Sequence, residues 1–331
     1  MLLIEEKTAE GLKPLRKISY LFLIISFFII NLNLKVYTSP EEKDNFKPKY
    51  SIKLTCGMGY SVIGDINKTL ESFNNNFIFE SARINTPDLI NGEIIALENK
   101  NLDLEAEFRL HISPKIALSF ATSSPVIKKN ENSLTYIISG SAGDQINNYT
   151  FRPKIKAWMP IRLGICYSLF SSPRMNLIFQ AGVGYYIAKI SEYEELEIGL
   201  PLGGTYWETY YWKAHTIEGS GVHSGIILEF NLTKKLALVG EVQGRYVKLS
   251  DLFGRMEVER YVDEGNAIIS GQKGSLYYFT MWDYDIGAYR ANLEVWEKPP
   301  EGSFREVDNV RKACLDLSGV SFRVGIRMRL F

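Results

Sequence analysis

The stretch LDLEAEFRLHI (102–112) constrains the fold more than any other part of the chain. Leu102, Leu104, Ala106, Phe108, Leu110 and Ile112 occupy every second position, and Asp103, Glu105, Glu107, Arg109 and His111 fill the gaps. A period of two is the repeat of a β-strand with two unlike faces and has no counterpart on a helix. Five ionisable side chains in one row need either water or one another. A strand of this kind therefore sits at a boundary between an apolar and a polar environment.

The same alternation recurs along the chain. In YSIKLTCGMGYS (50–61), Ile52, Leu54, Cys56, Met58 and Tyr60 oppose Lys53, Thr55, Gly57 and Gly59. Near the end, Phe322, Val324, Ile326, Met328 and Leu330 alternate with Arg323, Gly325, Arg327 and Arg329. Further strands are expected at 116–122, about 151–170, 176–189, about 216–231, 236–246 and within 314–331. In the fourth, simple alternation puts Ile155, Ala157, Met159 and Ile161 on one face and Lys156, Trp158 and Arg162 on the other, with Pro160 as a local irregularity. Short turns, SPK (113–115), SSPRM (171–175) and LTKKL (232–236), alternate with connections of some tens of residues.

Eight strands with short turns at one end and long connections at the other imply an all-β fold: an eight-stranded antiparallel transmembrane β-barrel with long extracellular loops. Strands of about 12 residues, tilted by ~40°, cross roughly 30 Å. A soluble, lipocalin-like barrel is the alternative, but it requires the reverse polarity, apolar within and charged without. Inside the connections, Asp65 is expected to cap a short helix, INKTLESFN, and the 254–312 segment to extend the barrel as a hairpin.

Residues 18–30, ISYLFLIISFFII, follow Arg16 and Lys17 and are too short to span a bilayer, so 1–39 reads as a signal peptide. Residues 40–48 read as a charged linker and 49–331 as the barrel domain. The 38 basic and 38 acidic side chains cancel, which leaves no global field for nucleic acid. Cys56, Cys166 and Cys314 are isolated and odd in number, which supports neither a disulfide framework nor a metal site.

On this reading Lys53, Glu105, Glu107, Arg109, Arg162, Glu229, Glu241, Arg245, Arg323 and Arg327 all face the lumen. An eight-stranded barrel is only wide enough to be filled by side chains, so these charges are expected to pair and plug it. His111 and His223 fall on inward rows without the spacing of a catalytic set; the third histidine is His215. GSGVHSG (219–225) lacks the Lys-Ser or Lys-Thr pair of a phosphate loop, so its glycines read as space-savers. No catalytic residue, cofactor or metal site is expected. Aromatic segments at 205–212 and 277–296 offer a surface for an extracellular ligand or protein.

In architecture the chain resembles the small eight-stranded outer-membrane barrels of Gram-negative bacteria, the OmpA/OmpX type, over roughly 49–331. The resemblance implies that the terminal aromatic, Phe331, is part of the signal read by the barrel-assembly machinery. Arg327 and Arg329 hold the positions in phase with Phe331, where the family keeps apolar residues; here the apolar row is offset by one. The implied protein is a non-enzymatic, monomeric resident of the bacterial outer membrane, surrounded by its lipid and working through its loops. A narrow channel or a transporter of small apolar ligands comes next, and a lipid-modifying enzyme after that.

Overall fold

The computed structural model describes residues 49–84, 90–140, 143–200, 203–262, 268–283, 288–301 and 306–330. The expected signal peptide and linker, and Phe331, lie outside them. The chain begins with β1 (Lys49–Ser61), α1 (Asp65–Ile84), β2 (Ile90–Gly92), β3 (Lys100–His111) and β4 (Ile116–Ser123). Next come β5 (Val126–Lys129), β6 (Asn132–Gly140), β7 (Gly143–Phe151), β8 (Lys154–Ser171), β9 (Met175–Gly199) and β10 (Thr205–Asn231). It ends with β11 (Leu236–Leu249), β12 (Phe253–Val262), β13 (Ile268–Asp283), β14 (Ala288–Trp296), β15 (Val307–Lys312), β16 (Leu315–Asp316) and β17 (Gly319–Arg329).

Eight of these strands close on themselves. The pairing runs β1–β3–β4–β8–β9–β10–β11–β17 and back to β1, antiparallel at every step. This ring is consistent with a β-barrel. Closure leaves no edge to template aggregation. The three short turns and the two ends of the described chain, Lys49 and Leu330, lie at one end of the ring, here called the lower end: Asn231 N–H bonds to Arg174 C=O, Arg329 N–H to Lys235 C=O, and Leu330 N–H to Tyr50 C=O.

The connections at the upper end are not loops. Expected as long loops, they hold α1 after β1 and, among the described residues, are mostly strand after β4, because β9 and β10 run on far past the ring and offer free edges. β7 pairs with the upper part of β9 and β6 with β7, while β12 pairs with the upper part of β10, β13 with β12, and β14 with β13. The sheet therefore holds more than eight strands, and the 254–312 segment extends the upper layer without entering the ring.

The helix is also longer than expected, running to Ile84. Asp65 anchors its start: its carboxylate accepts from Cys314 N–H at 2.7 Å and from both terminal nitrogens of Arg311, at 2.5 and 2.7 Å. Burial raises the pKa of that carboxyl, but the Arg311 and Cys314 bonds outweigh it and hold it below its ordinary value. Ile66, Leu70 and Phe73, at helical spacing, bury against Leu293, Val295, Phe151, Trp212 and Met256 in a large apolar core.

A further correction concerns β8. The register against β9 jumps from Trp158↔Ile187 to Ile161↔Tyr185, so one extra residue sits around Pro160. A bulge of one residue inverts the faces of everything beyond it. Ile155, Ala157 and Met159 therefore point inward with Arg162, whereas Lys156 and Trp158 are exposed.

Candidate functional site

Below the level of that bulge the ring interior is charged. Lys53 reaches Glu105 at 3.0 Å and Glu107 at 3.1 Å and also pairs with Glu241. Glu105 is shared with Arg162 and Arg323, each at 2.6 Å. Arg323 continues to Glu241 at 2.6 Å and Asp103 at 3.3 Å. Lower down, Arg109 and Arg327 both hold Glu107, at 2.8 and 3.1 Å, and both hold Glu229, at 3.4 and 2.7 Å. Arg245 stands 3.8 Å from Asp103 at the upper rim.

All ten residues assigned to the lumen from their parity are thus brought into one ion-pair network. The structure adds Asp103, on the same row as Glu105, and Arg329, 3.2 Å from Glu229. Gln180 and Gln243 fill gaps as neutral partners, Gln180 donating to Glu107 and Gln243 accepting from Arg162 and Arg323. Isolated charges would not survive such burial, whereas a fully paired cluster does. Ala117, Cys166, Ile178, Ile227 and Val239 close the interior below the network. Cys166 is a small apolar member of that floor, and all three cysteines are free.

His223 sits within the network's upper half, its ring packed over glycines. A Cβ at Gly182 would fall 2.7 Å from its Cε1, so the bare backbone of β9 is what admits the imidazole. Among the described residues neither ring nitrogen has a hydrogen-bond partner. Gly219, Gly221 and Gly225 likewise face walls of Tyr186, Val247 and Gln243 that leave no room for a side chain. His215 is elsewhere, exposed on the outer face.

Above the ring, inside the upper layer, lies a feature that sequence reading missed: a cavity of about 290 Å³ between α1 and the sheet. Glu192, Glu194, Glu208, Tyr210, Trp212 and Arg290 line it. Arg290 pairs with Glu194 at 3.3 Å and lies over the Phe73 ring. Glu192 is buried, and among the described residues one of its carboxylate oxygens has no hydrogen-bond donor. Burial first, and the neighbouring Glu194 second, push its pKa up to about 8, so it is held as a neutral acid at neutral pH. The alternation of EYEELE puts Glu192 and Glu194 in phase with Ala188 and Ile190, which was visible in the sequence. That the row is roofed over by α1 was not.

Among the described residues no cluster of three or more potential metal ligands occurs. No protein-family model matches the chain, and no curated protein matches it with significance.

Proposed function

We propose that the chain is an outer-membrane β-barrel protein of the OmpA/OmpX type, non-enzymatic, whose eight-stranded ring lies in the bilayer and whose upper layer stands outside the cell as the interacting part. One observation carries this reading: on β8, β9 and β11 the two faces of the strand exchange polarity near the level of the β8 bulge. Below that level the outward side chains are large and apolar, with Leu54, Met58, Leu102, Phe322 and Val324 between 52% and 69% exposed. The inward ones at the same height are the ion-pair network. Above it the inward row becomes Tyr186, Ala188, Ile190, Val247 and Leu249, all buried, and the outward row becomes Lys156, Lys189 and Lys248. A wall immersed in one solvent keeps one polarity on its outer face. A wall that leaves lipid for water exchanges them.

The filled interior favours a plug over a channel. Purified protein in planar bilayers is expected to show no steady conductance, and unboiled protein from the outer-membrane fraction to migrate differently from boiled protein on a detergent gel. Recovery in the soluble fraction would sink the reading.

A second reading, binding of a small ligand, is favoured specifically by the 290 Å³ cavity. Its carboxyls, Tyr210 and Trp212 suit a hydroxylated or cationic molecule better than an apolar one. Glu192→Gln and Trp212→Phe variants would then lose binding of such a molecule while keeping the mobility shift.

A further inference from the structure

The outer face of the upper layer carries an array of basic side chains. Two rows run across adjacent strands. In the first, the register places Lys156 of β8 opposite Lys189 of β9, and Lys189 opposite His215 of β10. In the second, one pleat higher, Lys154 opposes Ser191, Ser191 opposes Lys213, Lys213 opposes Arg255 of β12, and Arg255 opposes Lys273 of β13. All seven basic side chains are exposed, and together they line a shallow groove of about 520 Å³. With about 4.8 Å between strands and about 7 Å between the rows, the array covers roughly 19 Å of wall.

Its composition works against the fold in water. Like charges placed directly opposite on paired strands repel, yet Lys156–Lys189, Lys213–Arg255 and Arg255–Lys273 are all such pairs. Among the described residues only Arg255 has a carboxylate, the half-buried Glu257 at 3.3 Å. Among the described residues no acid pairs with Lys154, Lys156, Lys189, Lys213 or Lys273. The lower row ends directly on the apolar band: Trp158, Tyr185 and Ile187 are its next outward neighbours, with Phe253 at the side of the groove.

We propose that this array binds a lipid bearing more than one phosphate, its headgroup phosphates on the two cation rows and its acyl chains on the apolar band beneath. The inference rests on the membrane reading above and deepens it by naming the lipid class. Charge complementarity and continuity with the apolar band choose the occupant. A soluble polyanion would need the cations but would have no use for Trp158, Tyr185 and Ile187 below them.

The test reconstitutes the full chain into phosphatidylcholine vesicles containing a minor fraction of diphosphoryl lipid A. The protein is re-extracted in mild detergent, and retained lipid A is counted by native mass spectrometry. Two variants accompany the wild type: Lys156→Gln, Lys189→Gln, Lys213→Gln and Lys273→Gln combined, and a control with Lys115→Gln, Lys234→Gln and Lys235→Gln at the lower turns. Gel mobility of unboiled and boiled samples reports insertion for each. The wild type and control should retain lipid A, and the four-site variant should lose it by roughly a hundredfold or more, since each surface cation contributes to anionic-lipid binding. Equal retention by the four-site variant, or equal loss by the control, overturns the site while leaving the barrel standing. Failure of every sample to insert overturns the membrane reading, and the lipid site with it.

Discussion

At the scale of single residues, the lumen is held by carboxylates that each serve several cations. Glu105 touches Lys53, Arg162 and Arg323, and all of these side chains are fully buried. Glu105→Gln leaves three cations facing a neutral amide, which should cost about 3–5 kcal/mol. The urea midpoint of the unboiled-to-boiled mobility transition measures it. Lys68, exposed and 3.4 Å from Asp65, offers the contrast: its removal should change little. Glu192 makes a pH prediction. Its folded pKa of about 8 lies above its ordinary 4.5, so its contribution is intact below about 4.5 and falls as pH rises toward about 8. Glu192→Gln should remove that slope, making the variant more stable than the wild type at pH 8 by ~2–5 kcal/mol and little different at pH 4. A parallel pH dependence in the two proteins would contradict this.

At the scale of elements, an arginine should be costly on one half of the wall and harmless on the other. Val324, 69% exposed on β17, faces lipid in the proposed placement, and Val324→Arg should destabilise by about 2–4 kcal/mol. On β9 an exposed cation, Lys189, already stands beyond the apolar band, so Lys189→Arg should be silent. The helix provides the other test. Leu70 is fully buried against the upper sheet, and Leu70→Ala should cost about 2–5 kcal/mol through the cavity it leaves. Because α1 packs on the upper layer, that loss should show as faster proteolysis above the ring while the gel-mobility shift persists.

At the scale of the whole molecule, the interior is filled in three storeys: an apolar floor, an ion-pair network, and an apolar upper core around α1. Each storey blocks passage by a different physical means, so single substitutions in the network should not open a conducting path. Only combined shortening of all three storeys, for example Arg323→Ala with Arg162→Ala, Ile178→Ala with Ile227→Ala and removal of 65–84, is expected to produce conductance in planar bilayers. Conductance of the unaltered protein would instead show that the storeys separate in the membrane.

The eight ring strands, their turns and the ten lumen charges were legible in the sequence because period-two alternation is a local property, carried by each strand without reference to its neighbours. The phase of Lys156 and Trp158 was not, because the bulge at Pro160 is visible only against the partner strand β9. The upper strands were obscured for a related reason: segments such as TYWETYYW have apolar or aromatic residues on both faces, and burial by β12 and α1 decides which side is inside. The cavity is more remote still, since Glu194 and Arg290 meet in it from distant strands. What the sequence determined by itself was the alternation, and with it a wall of two unlike faces. Only the tertiary structure decided where along that wall the faces exchange, because that level is set by which strands continue past the ring, and pairing between distant segments has no period to read.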